Sequence, residues 1–217
     1  MGKIGMTLPK LSLKHRISEE IRKAIFEGRL LPGEKITESQ LSKELGVSRA
    51  PIREAIQLLE MEGILDSTPY KETKVSNISK EEVIELLIPI RMQIESYALK
   101  KSLPIWTEEH FNEFQSILDE MKKGAQYRDF YVLVDADIRF HEQIIKYANM
   151  EGITKIWESI VNRIRLHFIV QGKEYEDFQE IVDEHQVLFD CFLSRNISIA
   201  LEGLNEHIVE KNLRDNI

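Results

Sequence analysis

The sequence contains one cysteine, Cys191, among its 217 residues. A single thiol cannot form an intrachain disulfide, and it leaves no second thiolate for a cysteine-rich zinc site. The chain also lacks any run of about 18 apolar residues, and its N-terminus lacks the apolar segment of a signal peptide. We therefore expect a soluble, cytoplasmic protein with no membrane partner, in which Cys191 is a small core residue.

Motifs for nucleotide chemistry and for serine hydrolysis are also missing. The chain has no glycine-rich phosphate loop and no Gly-x-Ser-x-Gly sequence. His141-Glu142 begins like the His-Glu-x-x-His motif of zinc peptidases, but Ile145 stands where the second histidine should be. Because no general base is evident, a metal-dependent hydrolase is the less favoured class of function.

The net charge of −8 is distributed unevenly along the chain. Residues 1–77 contain 13 lysines and arginines against 11 acidic residues, whereas residues 78–217 contain 16 against 26. The first part therefore has a small positive charge and the second part a large negative one. This asymmetry indicates that only the first part approaches a polyanion such as DNA.

Three helices are predicted in the first part. Apolar residues at helical spacing indicate a first helix over about residues 12–27. Thr37 and Gln40 form a capping-box pattern that begins a short second helix, and Gly46 supplies its C-cap. Ser48 can cap a third helix. The apolar face of that helix consists of Ile52, Ala55, Ile56 and Leu59. The second and third helices thus meet at a tight turn.

Strand-like segments at 64–65 and 73–76 surround a turn at 69–71 and predict a small β-hairpin, the wing. Beyond it the chain has helical periodicity and no convincing strand. We therefore expect two domains: a winged helix-turn-helix DNA-binding domain at 1–77 and an all-helical domain at 78–217. The fold class is mainly α.

The second domain is predicted to contain six helical segments. They cover about residues 80–101, 108–123, 129–148, 151–170, 175–194 and 197–213. Pro89 should kink the first of them, because proline lacks the amide hydrogen of a regular helix.

The polar face of the third helix suits a DNA groove. Ala50, Arg53 and Gln57 line it, and Arg49 lies in the first turn. Arginine can bind guanine or phosphate, glutamine can pair with adenine, and a small alanine permits close approach. The alternative is an ordinary solvated face, which any surface helix can have.

Five stretches of the first part match a known pattern. They are Leu30-Leu31-Pro32-Gly33-Glu34-Lys35-Ile36, Glu38-Ser39-Gln40-Leu41-Ser42, Leu45-Gly46-Val47-Ser48-Arg49-Ala50-Pro51-Ile52-Arg53-Glu54-Ala55, Leu58-Leu59 and Glu62-Gly63. Through them, about residues 11–76 resemble the winged-helix domain of the GntR family of transcriptional regulators. The resemblance implies that Arg49 and Arg53 contact bases and phosphates, that Ser39 touches DNA, and that Ser48 lies at the same surface.

The wing departs from the family pattern. Glu72 stands where relatives usually carry a glycine, and a carboxylate disfavours insertion between phosphates. We still expect Lys71 and Lys74 to contact the DNA backbone.

Four polar residues fall in the apolar faces of the second domain. Asp137 and His141, four residues apart, share one face of a helix, and His185 and His207 each lie among apolar neighbours. A single inward histidine is usually a hydrogen-bonded core residue. Burying all four without strong partners would cost several kcal/mol, whereas one divalent ion satisfies them together. Three imidazoles and one carboxylate favour zinc or nickel over calcium, so we expect one such metal per chain.

The spacing Asp137-x3-His141 followed by His185-x21-His207 resembles the ligand signature of the FCD effector domain of FadR-type GntR regulators, over about residues 80–213. The resemblance implies a bundle of six or seven antiparallel helices, a homodimer, and a pocket where the metal meets a carboxylate metabolite.

Further effector-binding candidates follow from the same resemblance. Arg91 and Glu95 match an Arg-x3-Glu pair whose arginine often faces the effector; the alternative is an exposed salt bridge. Arg163 and His167 are candidates for the same cavity, although plain packing is the favoured reading of each.

These expectations describe a regulator, with repression favoured, that reads a short inverted repeat in double-stranded DNA and responds to a small organic or sugar acid. The alternative is a constitutive dimeric DNA-binding protein with a purely structural metal.

Overall fold

The computed structural model of the chain describes residues 12–67, 72–171 and 177–210. The chain divides into two compact units, Met1–Ser76 and Asn77–Ile217, so the division lies one residue from the expected domain boundary. The described residues are mainly helical and contain one small sheet, which confirms the predicted fold class. None of the described helices is both long enough and apolar enough to cross a membrane.

The first unit contains three helices: α1 (Leu13–Phe26), α2 (Glu38–Leu45) and α3 (Arg49–Met61). The Thr37 hydroxyl caps α2 by accepting from the Gln40 amide at 3.2 Å. Gly46 ends α2 in the left-handed region, at φ +67°, which glycine adopts without strain. The predicted side-chain cap at Ser48 is absent: α3 starts there, but the hydroxyl does not bond to the helix. The apolar face of α3 is buried as predicted.

The sheet has three antiparallel strands, β1 (Lys35–Ile36), β2 (Leu65–Ser67) and β3 (Thr73–Val75), in the order β1-β3-β2. Lys35 pairs with Lys74, and Leu65 pairs with Val75. The hairpin strands were expected, but β1 was not, because two residues are too few to show a period of two. The turn predicted at 69–71 lies outside the described residues.

All the secondary structure in the described residues of the second unit is helical. It contains α4 (Lys80–Glu82), a π-helical turn (Val83–Leu87), α5 (Ile88–Ser102), a 3-10 turn (Leu103–Ile105), α6 (Glu108–Gln126), α7 (Phe130–Tyr147), α8 (Glu151–Gln171), α9 (Phe178–Leu193), α10 (Ile197–Asn205) and a second π-helical turn (Glu206–Glu210). The first π-helical turn ends at Leu87, two residues before Pro89. The kink expected at Pro89 thus corresponds to a local change from α-helical to π-helical hydrogen bonding before the proline.

Helix α5 contacts α7, α8 and α10, so it is enclosed on several sides. Its buried residues are Ile88, Arg91, Ile94, Glu95, Ala98, Leu99 and Ser102. Two charged residues therefore lie inside the unit, beside a core that includes Phe114, Phe140 and Phe192. This enclosure brings α5 against the predicted metal-binding helices.

The packing of α10 on α9 depends on a glycine. A Cβ added to Gly203 would lie 2.7 Å from the Sγ of Cys191. We expect Gly203→Ala to lower the free energy of unfolding by about 1–3 kcal/mol through overpacking. Denaturant titration measures this change.

Gly152→Ala is the matched control, because the helical Gly152 has nothing within 4 Å of the added Cβ. That variant should be as stable as the wild type or slightly more stable. Adding Cys191→Ala to the Gly203→Ala protein should recover part of the loss. Equal stability of the two glycine variants would contradict the packing described here.

Candidate functional site

Asp137, His141, His185 and His207 come together in the second unit. One ligand atom from each lies within 4.8 Å of the other three. Asp137, His141 and His185 are buried, and His207 is half-buried. The structure therefore brings together all four residues that the sequence pattern selected.

Three elements present these side chains. Helix α7 carries Asp137 and His141 one turn apart, α9 carries His185, and the second π-helical turn carries His207. The rings of His141 and His207 are stacked, with 5.0 Å between their centroids, and Phe140 packs edge-on against His185. Aromatic neighbours thus hold the rings in place and limit access of water.

The hydrogen bonds of His185 define its protonation. Its Nδ1 lies 2.8 Å from the carbonyl oxygen of Ile181, which can only accept, so Nδ1 carries the hydrogen. In a neutral ring Nε2 then carries a lone pair, and it lies 2.9 Å from Oδ2 of Asp137. Two acceptors that face each other at this distance repel unless a proton or a metal cation lies between them.

For His141, too, an acceptor beside Nδ1 defines which ring nitrogen carries the hydrogen. Its Nδ1 lies 2.5 Å from Oε2 of Glu95, and its Nε2 lies 3.1 Å from Nε2 of His207. Because the carboxylate accepts the hydrogen of Nδ1, the lone pair of Nε2 points at the other candidate ligands.

Electrostatics favour the forms that bind metal. Burial would raise the pKa of the Asp137 carboxyl, but His185 outweighs it and holds that pKa below its usual range. Burial lowers the pKa of the His141 imidazole, and the charge of Arg91 lowers it further. An ionised carboxylate and a neutral imidazole are the species that coordinate a cation.

The donor set fits a divalent transition metal. It offers three imidazole nitrogens and one carboxylate, which suit zinc and nickel. Within the described parts of the chain, Oδ1 of Asp137 is buried and has no hydrogen-bond partner. A cation would relieve the facing lone pairs and engage this carboxylate.

Arg91 and Glu95 form a buried pair, not an exposed salt bridge. Nε of Arg91 donates to Oε1 of Glu95 at 2.7 Å, and the two side chains are 5% and 0% exposed. The other oxygen of Glu95 accepts from His141, so each oxygen of this carboxylate has a partner within the unit. Arg91 lies over the ring of Phe168, and among the described residues its buried Nη2 finds no hydrogen-bond partner.

The other two effector candidates lie on α8. Arg163 pairs with Glu82 at 2.6 Å and donates to the backbone oxygen of Asn77. His167 is buried beside the ring of Phe168, which Arg91 also contacts. Arg163 therefore ties α8 to α4, while His167 shares a neighbour with Arg91.

The candidate DNA-binding surface lies in the first unit. Its described recognition residues, Ser39, Ser48, Arg49, Ala50, Arg53 and Gln57, are all exposed. Arg53 is held by two hydrogen bonds of 2.8 and 2.9 Å from its guanidinium to the carboxylate of Glu38 on α2. The pairing of Glu38 with Arg53 could not be predicted, because it crosses the helix-turn-helix and leaves no periodic signal in the sequence.

The wing carries its own charge compensation. Glu72 lies 2.7 Å from Nζ of Lys35 and 3.5 Å from Nζ of Lys74. The negative charge that disfavours insertion is thus partly neutralised by lysines on β1 and β3. Lys71 lies outside the described residues.

A helix-turn-helix with a small wing, followed by an all-helical unit with a buried Asp/His cluster, defines a DNA-binding transcriptional regulator. Family models match "Bacterial regulatory proteins, gntR family" at residues 13–75 and the FCD domain at residues 86–210. The chain therefore belongs to the GntR family and has an FCD domain, which confirms both predicted resemblances.

Known proteins of this kind match most of the chain. The gluconate operon transcriptional repressor of Bacillus subtilis (strain 168) is 27% identical over 205 residues, covering 92% of this chain and 84% of that protein. The regulator McbR of Escherichia coli (strain K12) is 22% identical over 188 residues, covering 86% and 85%.

Solved structures share the fold. A GntR regulator from Rhodococcus sp. RHA1 superposes with a TM-score of 0.83 at 21% identity, covering 93% of this chain and 96% of that one. E. coli McbR/YncC gives a TM-score of 0.79 at 20% identity, covering 94% and 97%.

Replacing Arg53 tests the recognition surface. We expect Arg53→Ala to weaken operator binding by about 1–3 kcal/mol, because it removes a side chain suited to bidentate base contact. Fluorescence anisotropy with operator DNA measures the affinity. Arg29→Ala is the control, because Arg29 is also an exposed arginine paired with a glutamate but lies beyond the end of α1. If folded Arg53→Ala protein kept the wild-type affinity and DNA footprint, Arg53 would not belong to the DNA-binding surface.

Proposed function

We propose that the protein is a dimeric, ligand-responsive repressor whose binding to a short inverted repeat is modulated by a small carboxylate in the second unit. The observation that carries this proposal is the buried Arg91, whose Nη2 has no hydrogen-bond partner among the described residues and belongs to the same hydrogen-bonded chain as His141 of the candidate metal centre. A buried guanidinium nitrogen without an acceptor costs free energy, and an anion supplies that acceptor.

Repression is supported by the named role of the Bacillus relative. The exposed residues of α2 and α3 support major-groove contact, with Ser39, Arg49 and Arg53 toward the DNA. An inverted repeat follows from a symmetric dimer, since two recognition helices related by a two-fold axis read two half-sites.

One divalent transition metal per chain, zinc or nickel, is the proposed cofactor. Asp137, His141, His185 and His207 would hold it. When bound, such a metal supplies open coordination positions that can accept a carboxylate oxygen. Arg91 would bind the remaining charge of the same ligand. The name of the gluconate operon repressor supports testing sugar acids among the candidates.

Removing two ligands tests the metal centre. Elemental analysis of purified protein should find about one metal per chain, and the double variant His185→Ala, His207→Ala should contain none. Because the ligands join separate helices, metal removal by a chelator should also lower the melting temperature of the wild type. A matched control is His110→Ala, since His110 caps α6 and is not part of the cluster. Wild-type protein that stays metal-free after reconstitution would contradict the assignment.

A ligand screen tests the sensor. Organic and sugar acids should raise the melting temperature of the metal-loaded protein, and at least one of them should change its affinity for operator DNA. Arg91→Lys should weaken binding of that acid, because a lysine cannot reproduce the planar fork of arginine. Arg139→Lys is the control, because Arg139 is a half-buried arginine of α7 that pairs with Glu120 and Asp135 outside the cluster. Hits that leave DNA affinity unchanged would favour the constitutive protein with a structural metal.

A further inference from the structure

The carboxylate of Glu95 is buried, although burial disfavours an ionised group. Its side chain is 0% exposed, in the middle of the enclosed helix α5. An unpaired buried carboxylate costs several kcal/mol, so its position depends on its partners. Both oxygens are engaged: Oε1 accepts from Nε of Arg91, and Oε2 accepts from Nδ1 of His141. Because a carboxylate has only acceptor oxygens, it can serve both of these donors at once.

We propose that Glu95 is a positioning residue: it fixes the tautomer and orientation of His141 for metal binding and holds Arg91 in the same hydrogen-bonded chain. The inference rests on the proposed metal centre and assigns Glu95 a task other than contact with the effector. It makes α5 part of the metal centre, although α5 contributes no ligand.

The tautomer argument is geometric. A neutral imidazole carries one hydrogen, and only the nitrogen without it can bind a metal. Glu95 keeps that hydrogen on Nδ1, so Nε2 of His141 presents its lone pair toward His207, 3.1 Å away. Without the carboxylate, part of the population would carry the hydrogen on Nε2, which blocks coordination.

The same carboxylate determines where Arg91 points. Because Nε of Arg91 donates to Glu95, the guanidinium is held on one edge, and its Nη2 has no hydrogen-bond partner in the described part of the unit. A glutamine at position 95 cannot serve both neighbours. Its amide oxygen can accept from one of them, but its NH2 group then faces the other donor.

Zinc affinity is the first test. In competition with a chromogenic chelator, Glu95→Gln should bind zinc about ten- to a hundredfold more weakly than the wild type. The control is Glu142→Gln, which removes an exposed carboxylate directly after His141 in the sequence and should bind zinc within about twofold of the wild type. Cobalt-substituted Glu95→Gln should also have altered d–d absorption, which a loss of stability alone does not produce. Equal zinc affinity in folded wild-type and Glu95→Gln protein would overturn the proposal.

A second measurement needs no variant of Glu95. Nitrogen-15 NMR of histidine-labelled, metal-free wild type, assigned with a His141→Gln sample, should show the His141 hydrogen on Nδ1. A hydrogen on Nε2 would overturn the proposal even if Glu95→Gln fails to fold. If the wild type binds no zinc, the proposed metal centre fails, while the NMR result still decides the role of Glu95.

Discussion

The second unit depends on one constraint: a cluster of six polar side chains must be satisfied inside a largely apolar helical core. Arg91 and Glu95 on α5, Asp137 and His141 on α7, and the histidines of α9 and the second π-helical turn form a connected cluster. Removing such groups from water costs free energy that only well-placed partners return. Arg91–Glu95 and Glu95–His141 are satisfied internally, whereas the facing acceptors of His185 and Asp137 are not. The cluster is therefore stable only with a proton or a cation at its centre.

The four candidate ligands could be predicted from the sequence because each is a polar residue in an apolar helical period. Asp137 and His141 are separated by one turn, and that spacing is local. Glu95 was predicted to pair with Arg91, but the exposed salt bridge given as the alternative to effector binding is wrong, because the pair is buried. The contact of Glu95 with His141 joins residues 46 positions apart. Helix α5 buries one face, but that face itself carries Arg91 and Glu95, so hydrophobic periodicity does not mark it as the inner one.

In the first unit, too, only features set by residues close together in the sequence could be predicted. Helix bounds, the Thr37 cap and Gly46 were predictable because they depend on residues three or four apart. Strand β1 and the Glu38–Arg53 pair were not, because each depends on contacts made by folding. The Glu38 contact holds the guanidinium of Arg53 on one edge of the candidate DNA-binding surface. Its remaining donors then have a restricted orientation, which would reduce the entropy lost in the proposed binding of a base or phosphate.

The net charge of the polar cluster would couple binding of the proposed metal to binding of the proposed carboxylate ligand. With neutral imidazoles, the carboxylates of Asp137 and Glu95 and the guanidinium of Arg91 leave one net negative charge in the core. A divalent cation would convert this to one net positive charge, which is also unfavourable when buried. A monovalent carboxylate would restore neutrality and supply the acceptor that Nη2 of Arg91 lacks. Charge balance therefore favours a site in which metal and carboxylate bind with positive coupling, and by linkage each must strengthen the other to the same degree.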